Sequence, residues 1–304
     1  MSKNVLKGIE NKKKKEVSVF SIIIVVLLLL YCLTLVTLFL WAIIASFKNP
    51  LLDFEVNKVG FPKEWIFDNY LTAYNEFSVQ VSMNDGTIVD VGMPMLFLYG
   101  FLYAFGCAFA ATLIPCLVGY VTAKFQFKFS KIIYLVVVMT MIIPIVGNLP
   151  AEIAMAKSLN LYDQIWGMWI MKANFLGIYF IVFYNFFKNQ PNAYIEAAKI
   201  DGSSNFRTMV QIMLPMAMPL FFTVMLINFI SFWNDYQVPL IYLPSHPTIA
   251  VAMAMIKESA YPQSMRNIPS KIAAAMLMLV PVLILFLAFH KKLLGNLTMG
   301  GIKG

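Results

Sequence analysis

The chain has 304 residues, of which 60% are hydrophobic and only 12% charged, with a net charge of +8. A soluble domain carries about 25% charged residues, so a water-soluble globule is excluded and the composition is that of an integral membrane protein. The lysines cluster beside apolar blocks, a pattern of membrane topology rather than of nucleic-acid binding.

The N-terminal residues 1–16 form a basic tail with a run from Lys12 to Lys15. The apolar block that follows, Val17 to Ile44, is longer than the roughly 7–15 residues of a signal-peptide core. It reads as a retained first span. Apolar stretches at 17–46, 94–123, 132–149, 166–187, 216–236 and 272–289 predict six transmembrane helices. Helices are required because backbone groups in lipid need partners within their own segment. Pro115, Pro144, Pro219 and Pro281 lie in or near these spans, where kinks are tolerated if neighbouring helices satisfy the freed carbonyls. The fold expected is therefore an all-α membrane domain over 17–290, between tails 1–16 and 291–304.

The longest connection, 47–93, carries seven acids against three lysines. Asn84-Asp85-Gly86 is a turn signal, and Ser78 to Ser82 and Thr87 to Val91 flank it with alternating β-prone residues, so a hairpin is expected. It would either cap the bundle or dock an external protein. Between the third and fourth spans, Ala151, Ala154, Met155 and Leu159 recur at helical spacing and suggest an interfacial helix.

Charge sets the orientation. Segments 1–16, 124–131, 188–215 and 290–304 together hold 15 Lys/Arg and 4 Asp/Glu. Segments 47–93, 150–165 and 237–270 hold 6 Lys/Arg and 10 Asp/Glu. The positive-inside rule places the first group, and with it both termini, in the cytoplasm.

Few residues suggest chemistry. Cys32, Cys107 and Cys116 lie in apolar blocks and read as packing, with neither disulfide nor metal expected. His246 and His290 belong to no H-E-x-x-H pattern, and there is no G-x-S-x-G. Lys172 lies in the fourth span and can snorkel to the surface. Asn148, Asn174, Asn185 and Asn228 can hydrogen-bond between helices or line a cavity. Asp235 is the one acid inside a predicted span, beside Trp233 and Asn234. It suits either a sugar contact or interfacial anchoring.

The loop 191–215 is the most informative segment. Pro191 and Asn192 signal a helix start, and Ala193, Ala197 and Ile200 then fall on one side with Ala198 beside them. Small side chains there let a partner surface approach the backbone. Glu196 and Lys199 can pair at i, i+3. Asp201-Gly202 ends the helix with a residue suited to a left-handed turn. Ser203 or Ser204 can cap a second helix, whose apolar face is expected at Phe206, Met209, Val210 and Met213. Leu214-Pro215 then leads into the fifth span. The predicted shape is a lever between the cytoplasm and a transmembrane helix.

Glu196-Ala197-Ala198, Asp201-Gly202, Phe206 and Leu214-Pro215 stand in the order and spacing of the EAA loop, and the chain resembles the permeases of binding-protein-dependent ABC transporters. Phe232-Trp233-Asn234-Asp235-Tyr236 with Pro239-Leu240, and the tail Leu297 to Gly304, are similar to the carbohydrate-uptake branch that includes the maltose permeases. The resemblance runs from the second span to the end, and the outer loop 47–93 is longer than usual for that subunit type. It implies a type I importer permease in a bacterial cytoplasmic membrane, not an enzyme, with Glu196, Ala197, Ala198, Asp201, Gly202 and Phe206 coupling to an ATPase.

 

The same resemblance implies a second permease subunit completing a heterodimer, two cytoplasmic ATPase subunits and an extracellular lipid-anchored or periplasmic solute-binding protein. ATP and Mg would be bound by the ATPase subunits, since the chain contains no G-x-x-x-x-G-K-[ST] loop and carries no cofactor or metal of its own. Asn228, Trp233, Asn234, Asp235 and Tyr236 are the candidates for the substrate pathway. The alternatives are a permease for a non-sugar solute and an ion-coupled secondary transporter. The latter often carries buried acids and inverted repeats, and neither is evident here.

Overall fold

The computed structural model describes residues 19–82, 86–125, 127–143, 147–255 and 265–297, with side chains as far as 288. Helix α1 (Val19–Ser46) is followed by a π turn at Pro50–Phe54, helix α2 (Asp68–Glu76) and an antiparallel hairpin of β1 (Ser78–Ser82) and β2 (Ile88–Gly92). Helices α3 (Met93–Lys124), α4 (Lys128–Ile142), α5 (Leu149–Ser158), α6 (Ile165–Lys172) and α7 (Ile178–Asn189) come next. The short α8 (Ala193–Ile200) and α9 (Asn205–Thr208) lead through a π turn at Met209–Met213 into α10 (Leu214–Trp233). The chain closes with α11 (Gln237–Tyr242), α12 (Ile249–Met255) and α13 (Ile268–Leu297).

Among the described residues, four helices are long and apolar enough to cross a membrane: Val19–Ser46, Met93–Lys124, Asn205–Trp233 and Ile268–Ala288. α3 is the central one and packs against α10, α6 and α7. Its approach to α7 depends on Gly119, where a Cβ would lie 3.0 Å from both Phe183 Cβ and the Tyr184 nitrogen. Trp169 of α6 lies against Gly106 and donates its indole N–H to the Leu102 carbonyl at 3.0 Å. Asn228 of α10 donates to Thr112 Oγ1 of α3 at 3.0 Å, so a buried amide bridges the two helices. α1 packs on α13 but leaves most of its length exposed and apolar all round, which is the surface a helix presents to lipid.

Two predicted spans differ from the helices observed. The third is α4, whose 15 residues end at Ile142, so that Leu149 belongs to α5. At 1.5 Å per residue it reaches about 22 Å, short of a hydrocarbon core of about 30 Å. The fourth is broken: α6 ends at Lys172 and α7 begins at Ile178. Gly177, at φ 146° and ψ −176°, occupies a region essentially restricted to glycine. A continuous apolar pattern hid this break, since periodicity does not register one backbone excursion.

The hairpin expected around 78–91 is present, with Val79 paired to Val91 and Val81 to Val89, while Asn84 and Asp85 of its turn lie outside the described residues. The helix expected near 151–159 is α5. Cys107 and Cys116 are buried free thiols in separate apolar clusters. The tail from 298 onwards and residues 1–18 lie outside the described residues, and so do Pro144 and the acid Glu258 used in the charge comparison.

The segment between α1 and α2 is held by polar groups. Asn69 donates to the carbonyls of Ser46 and Lys48, both at 2.8 Å, and accepts from Ser270 at the start of α13. Phe47 packs among Trp65, Phe67 and Tyr70. Far from being a loose loop, this part of 47–93 is stitched to both the first and last long helices.

Candidate functional site

The loop between α7 and α10 folds as a helix, a left-handed turn and a second helix. α8 ends in a Schellman motif: Ser203 N–H donates to the Ala198 carbonyl at 2.8 Å and Gly202 N–H to Lys199 at 3.0 Å. Gly202 supplies the positive φ of 75° that this closure needs. Ser204 Oγ caps α9 by accepting from Arg207 N–H at 3.2 Å. Asn192, expected to help start α8, makes no side-chain cap. Its Oδ1 instead accepts from Lys124 at 2.9 Å, while the same ammonium donates to the Gln190 carbonyl at 2.6 Å, which fixes the root of α8 to the end of α3.

The six predicted coupling residues do not share one surface. Ala198 is buried against the turn, whereas Glu196, Ala197, Asp201, Gly202 and Phe206 are exposed. Ile200 is 86% exposed and Phe206 71%, on the two short helices that flank the turn, and Ala197 is exposed as well. Glu196 and Lys199 form no ion pair among the described residues.

The second half of the loop departs from the expected amphipathic helix. Phe206 and Val210 are exposed, while Thr208 and Met213 are buried. The π turn at Met209–Met213 shifts the helical phase between Phe206 and Met213. Thr208 is accommodated by its hydrogen bonds to the Ser204 carbonyl at 3.0 Å and Ser203 Oγ at 3.2 Å. Residue spacing carries no signal for such a turn.

At the opposite end of α10 the residues divide between framework and cavity. Trp233 is buried, donates to the Met278 carbonyl of α13 at 3.1 Å and stacks on Phe229. Asp235 accepts from Tyr103 at 3.0 Å through Oδ2 and from Val238 N–H at 3.2 Å through Oδ1, which caps α11. Asn234 donates to the Ile230 carbonyl, and Tyr236 is exposed. Asn228 alone of these candidates lines the cavity of about 130 Å³ formed at the break between α6 and α7, with Lys172, Asn174, Phe175, Tyr179 and Phe232. Lys172 therefore faces a cavity, and forms no ion pair among the described residues.

Sequence reading missed a polar cluster near the same end. Glu152 of α5 accepts from Tyr242 at 3.2 Å, and Asp163 accepts from Ser245 N–H at 2.9 Å and contacts His246 Nδ1 at 3.3 Å. Burial, with help from the Glu152 carboxylate, pushes the Tyr242 phenol up from its usual range. These partners are some 80–90 positions apart in the chain, and no local motif announces them.

The family model described as "Binding-protein-dependent transport system inner membrane component" matches residues 116–294, which include the coupling loop and most of the cavity lining. The chain belongs to this family. As a binding-protein-dependent transport component it is a multi-pass membrane permease subunit rather than an enzyme. It is similar to the diacetylchitobiose uptake system permease protein NgcG of Streptomyces coelicolor, at 24% identity over 92% of this chain and 88% of the relative. The melibiose/raffinose/stachyose import permease protein MelC of Bacillus subtilis is 25% identical over 80% of this chain and 83% of its own. The trehalose/maltose permease protein MalG of Thermococcus litoralis is 28% identical over 63% and 69%. A crystal structure of a bacterial ABC transporter that imports the acidic polysaccharide alginate matches with a TM-score of 0.72 at 19% identity, covering 91% of this chain and 97% of that one. At that identity the likeness establishes the fold.

Proposed function

We propose that this chain is one permease subunit of an ATP-driven importer and forms half of a pathway for a sugar or oligosaccharide. The observation that carries the coupling role is the exposure of Ala197 and Ile200 on one side of a Schellman turn and of Phe206 on the other, where the helix runs without interruption from Asn205 into α10. A cytoplasmic ATPase seated there can push or pull a transmembrane helix. The small Ala197 admits close approach, and Gly202 sets the turn.

The carbohydrate assignment draws on the relatives, whose names specify diacetylchitobiose uptake, melibiose/raffinose/stachyose import and trehalose/maltose transport. In this reading both termini and the coupling loop face the cytoplasm, following the lysine distribution. α4 and the α6–α7 pair complete six passes with help from neighbouring protein, since irregular backbone is tolerated at membrane depth where it lines a cavity. Asn228, Asn174 and Lys172 contact the passing substrate, while Trp233 and Asp235 hold the frame. A second permease, two ATPases and an external solute-binding protein complete the machine.

The test is purification of the full chain, tagged at its C-terminus, from its native membrane in mild detergent. Co-purification of a soluble ATPase and a second permease, with ATP-dependent uptake of a labelled oligosaccharide, is the expected result. Uptake that survives ATP depletion but collapses with the ion gradient would overturn it.

A further inference from the structure

A second cavity, of about 720 Å³, lies beside the root of α8 where α3 ends and α4 begins. Four lysines line it: Lys124, Lys128, Lys131 and Lys188. No carboxylate lines it among the described residues. Lys124 is committed to the Gln190 carbonyl and Asn192 Oδ1, and Lys188 lies over the Tyr184 ring at 5.6 Å. Lys128 and Lys131 are exposed and form no ion pair among the described residues. Cations crowded in this way repel one another unless an anion sits between them.

Thr122 adds an independent sign. It lines the same cavity, is only 5% exposed, and its hydroxyl oxygen has no hydrogen-bond partner among the described residues. Threonines in helices usually satisfy themselves on a carbonyl one turn back, as Thr112 does on Ala108. A buried hydroxyl without a partner is rare in folded proteins and calls for an explanation.

Thr122 also lines a neighbouring groove of about 360 Å³, walled by Leu117, Val118, Val121, Ile133 and Phe175. The surface that groove exposes is apolar throughout. A cationic cavity and an apolar groove thus meet at one residue, at the end of two apolar helices. We infer that this is a binding site for an anionic phospholipid, with its phosphate held by Lys128, Lys131 and the Thr122 hydroxyl and an acyl chain in the groove between α3 and α4. Basic pockets between transmembrane helices suit phosphate-bearing headgroups, and hydrocarbon alone would not require the lysines. The site stands whether or not the cargo is a sugar. Because Asn192 both lines it and precedes α8, a bound lipid would brace the base of the coupling helix.

Native mass spectrometry of the delipidated full chain tests this, with dioleoyl phosphatidylglycerol and dioleoyl phosphatidylcholine as probes. The expected result is one phosphatidylglycerol retained per chain with about a tenfold preference over phosphatidylcholine. That preference should vanish in the Lys128→Gln/Lys131→Gln double variant and fall in Thr122→Val, both eluting like the parent on size exclusion. Equal retention of the two lipids, or a preference unchanged in the double variant, would overturn the site. Displacement of phosphatidylglycerol by millimolar inorganic phosphate would overturn the acyl-groove assignment and leave a soluble-anion site.

Discussion

The phenol of Tyr103 donates to Oδ2 of Asp235 across 3.0 Å, joining α3 to the end of α10 over 132 positions of chain. The other carboxylate oxygen caps α11, so one acid holds three helices together. A role of this kind predicts a stability phenotype. Tyr103→Phe should lower stability by about 1–3 kcal/mol, because it strands a carboxylate oxygen that has lost its donor. Thermal unfolding in detergent reads this directly. Asp235→Asn, which retains an acceptor, should cost less and leave the apparent KM for uptake near that of the parent. A raised KM at unaltered stability would mean that Asp235 touches the substrate instead.

Gly202 sits at φ 75° with nothing within 4 Å of where a Cβ would stand. The penalty for Gly202→Val is therefore conformational, about 1–2 kcal/mol, with no steric clash to unfold the bundle. The variant should reach the membrane in normal amounts and show reduced uptake. Gly202→Asn should retain more activity, since asparagine tolerates the left-handed region. Equal uptake by the parent and the valine variant would show that the turn is not needed for coupling.

Adjacent alanines in α8 should behave differently. Ala197 is exposed and Ala198 buried. Ala197→Arg should leave this subunit folded and abolish recovery of the ATPase in a pull-down. Ala198→Arg should disrupt the loop itself and make it sensitive to limited proteolysis. If both variants capture the ATPase normally, the docking surface lies elsewhere.

Much of this organisation was legible in the sequence because it is local. The hairpin follows from alternation about a turn signal, and the Schellman closure from one glycine at the end of a helical pattern. The four long helices follow from uninterrupted apolar runs. The rest depends on what composition does not encode. Lys172 reads as a snorkelling residue until the break before α7 turns it toward a cavity. Trp233 and Asp235 read as pathway candidates, and no local pattern announces Met278, Tyr103 and Val238 as their hydrogen-bond partners. The exposure of Phe206 beside the burial of Met213 goes with a π turn between them that no residue spacing reports.

Gly177 offers a test of the break. Gly177→Ala would place a side chain in a glycine-only region at a cost of about 1–3 kcal/mol, or drive α6 and α7 toward one continuous helix. Either response removes the irregular segment that presents Asn174 to the cavity. Uptake should fall while membrane insertion, followed by cell fractionation, stays intact. Unchanged uptake kinetics would separate the cavity from the transport route.

The π turn at Met209–Met213 has a mechanical consequence. The wider turn lets the face that α9 offers to solvent be chosen separately from the face that α10 offers to the bundle. Phe206 can point outward while Met213, seven positions later, is fully buried. The hydrogen-bonded backbone nevertheless runs unbroken from 205 to 233. The junction is a shaft with an offset coupling: its two ends are rotated to suit different partners, yet a twist applied at one end is still delivered to the other.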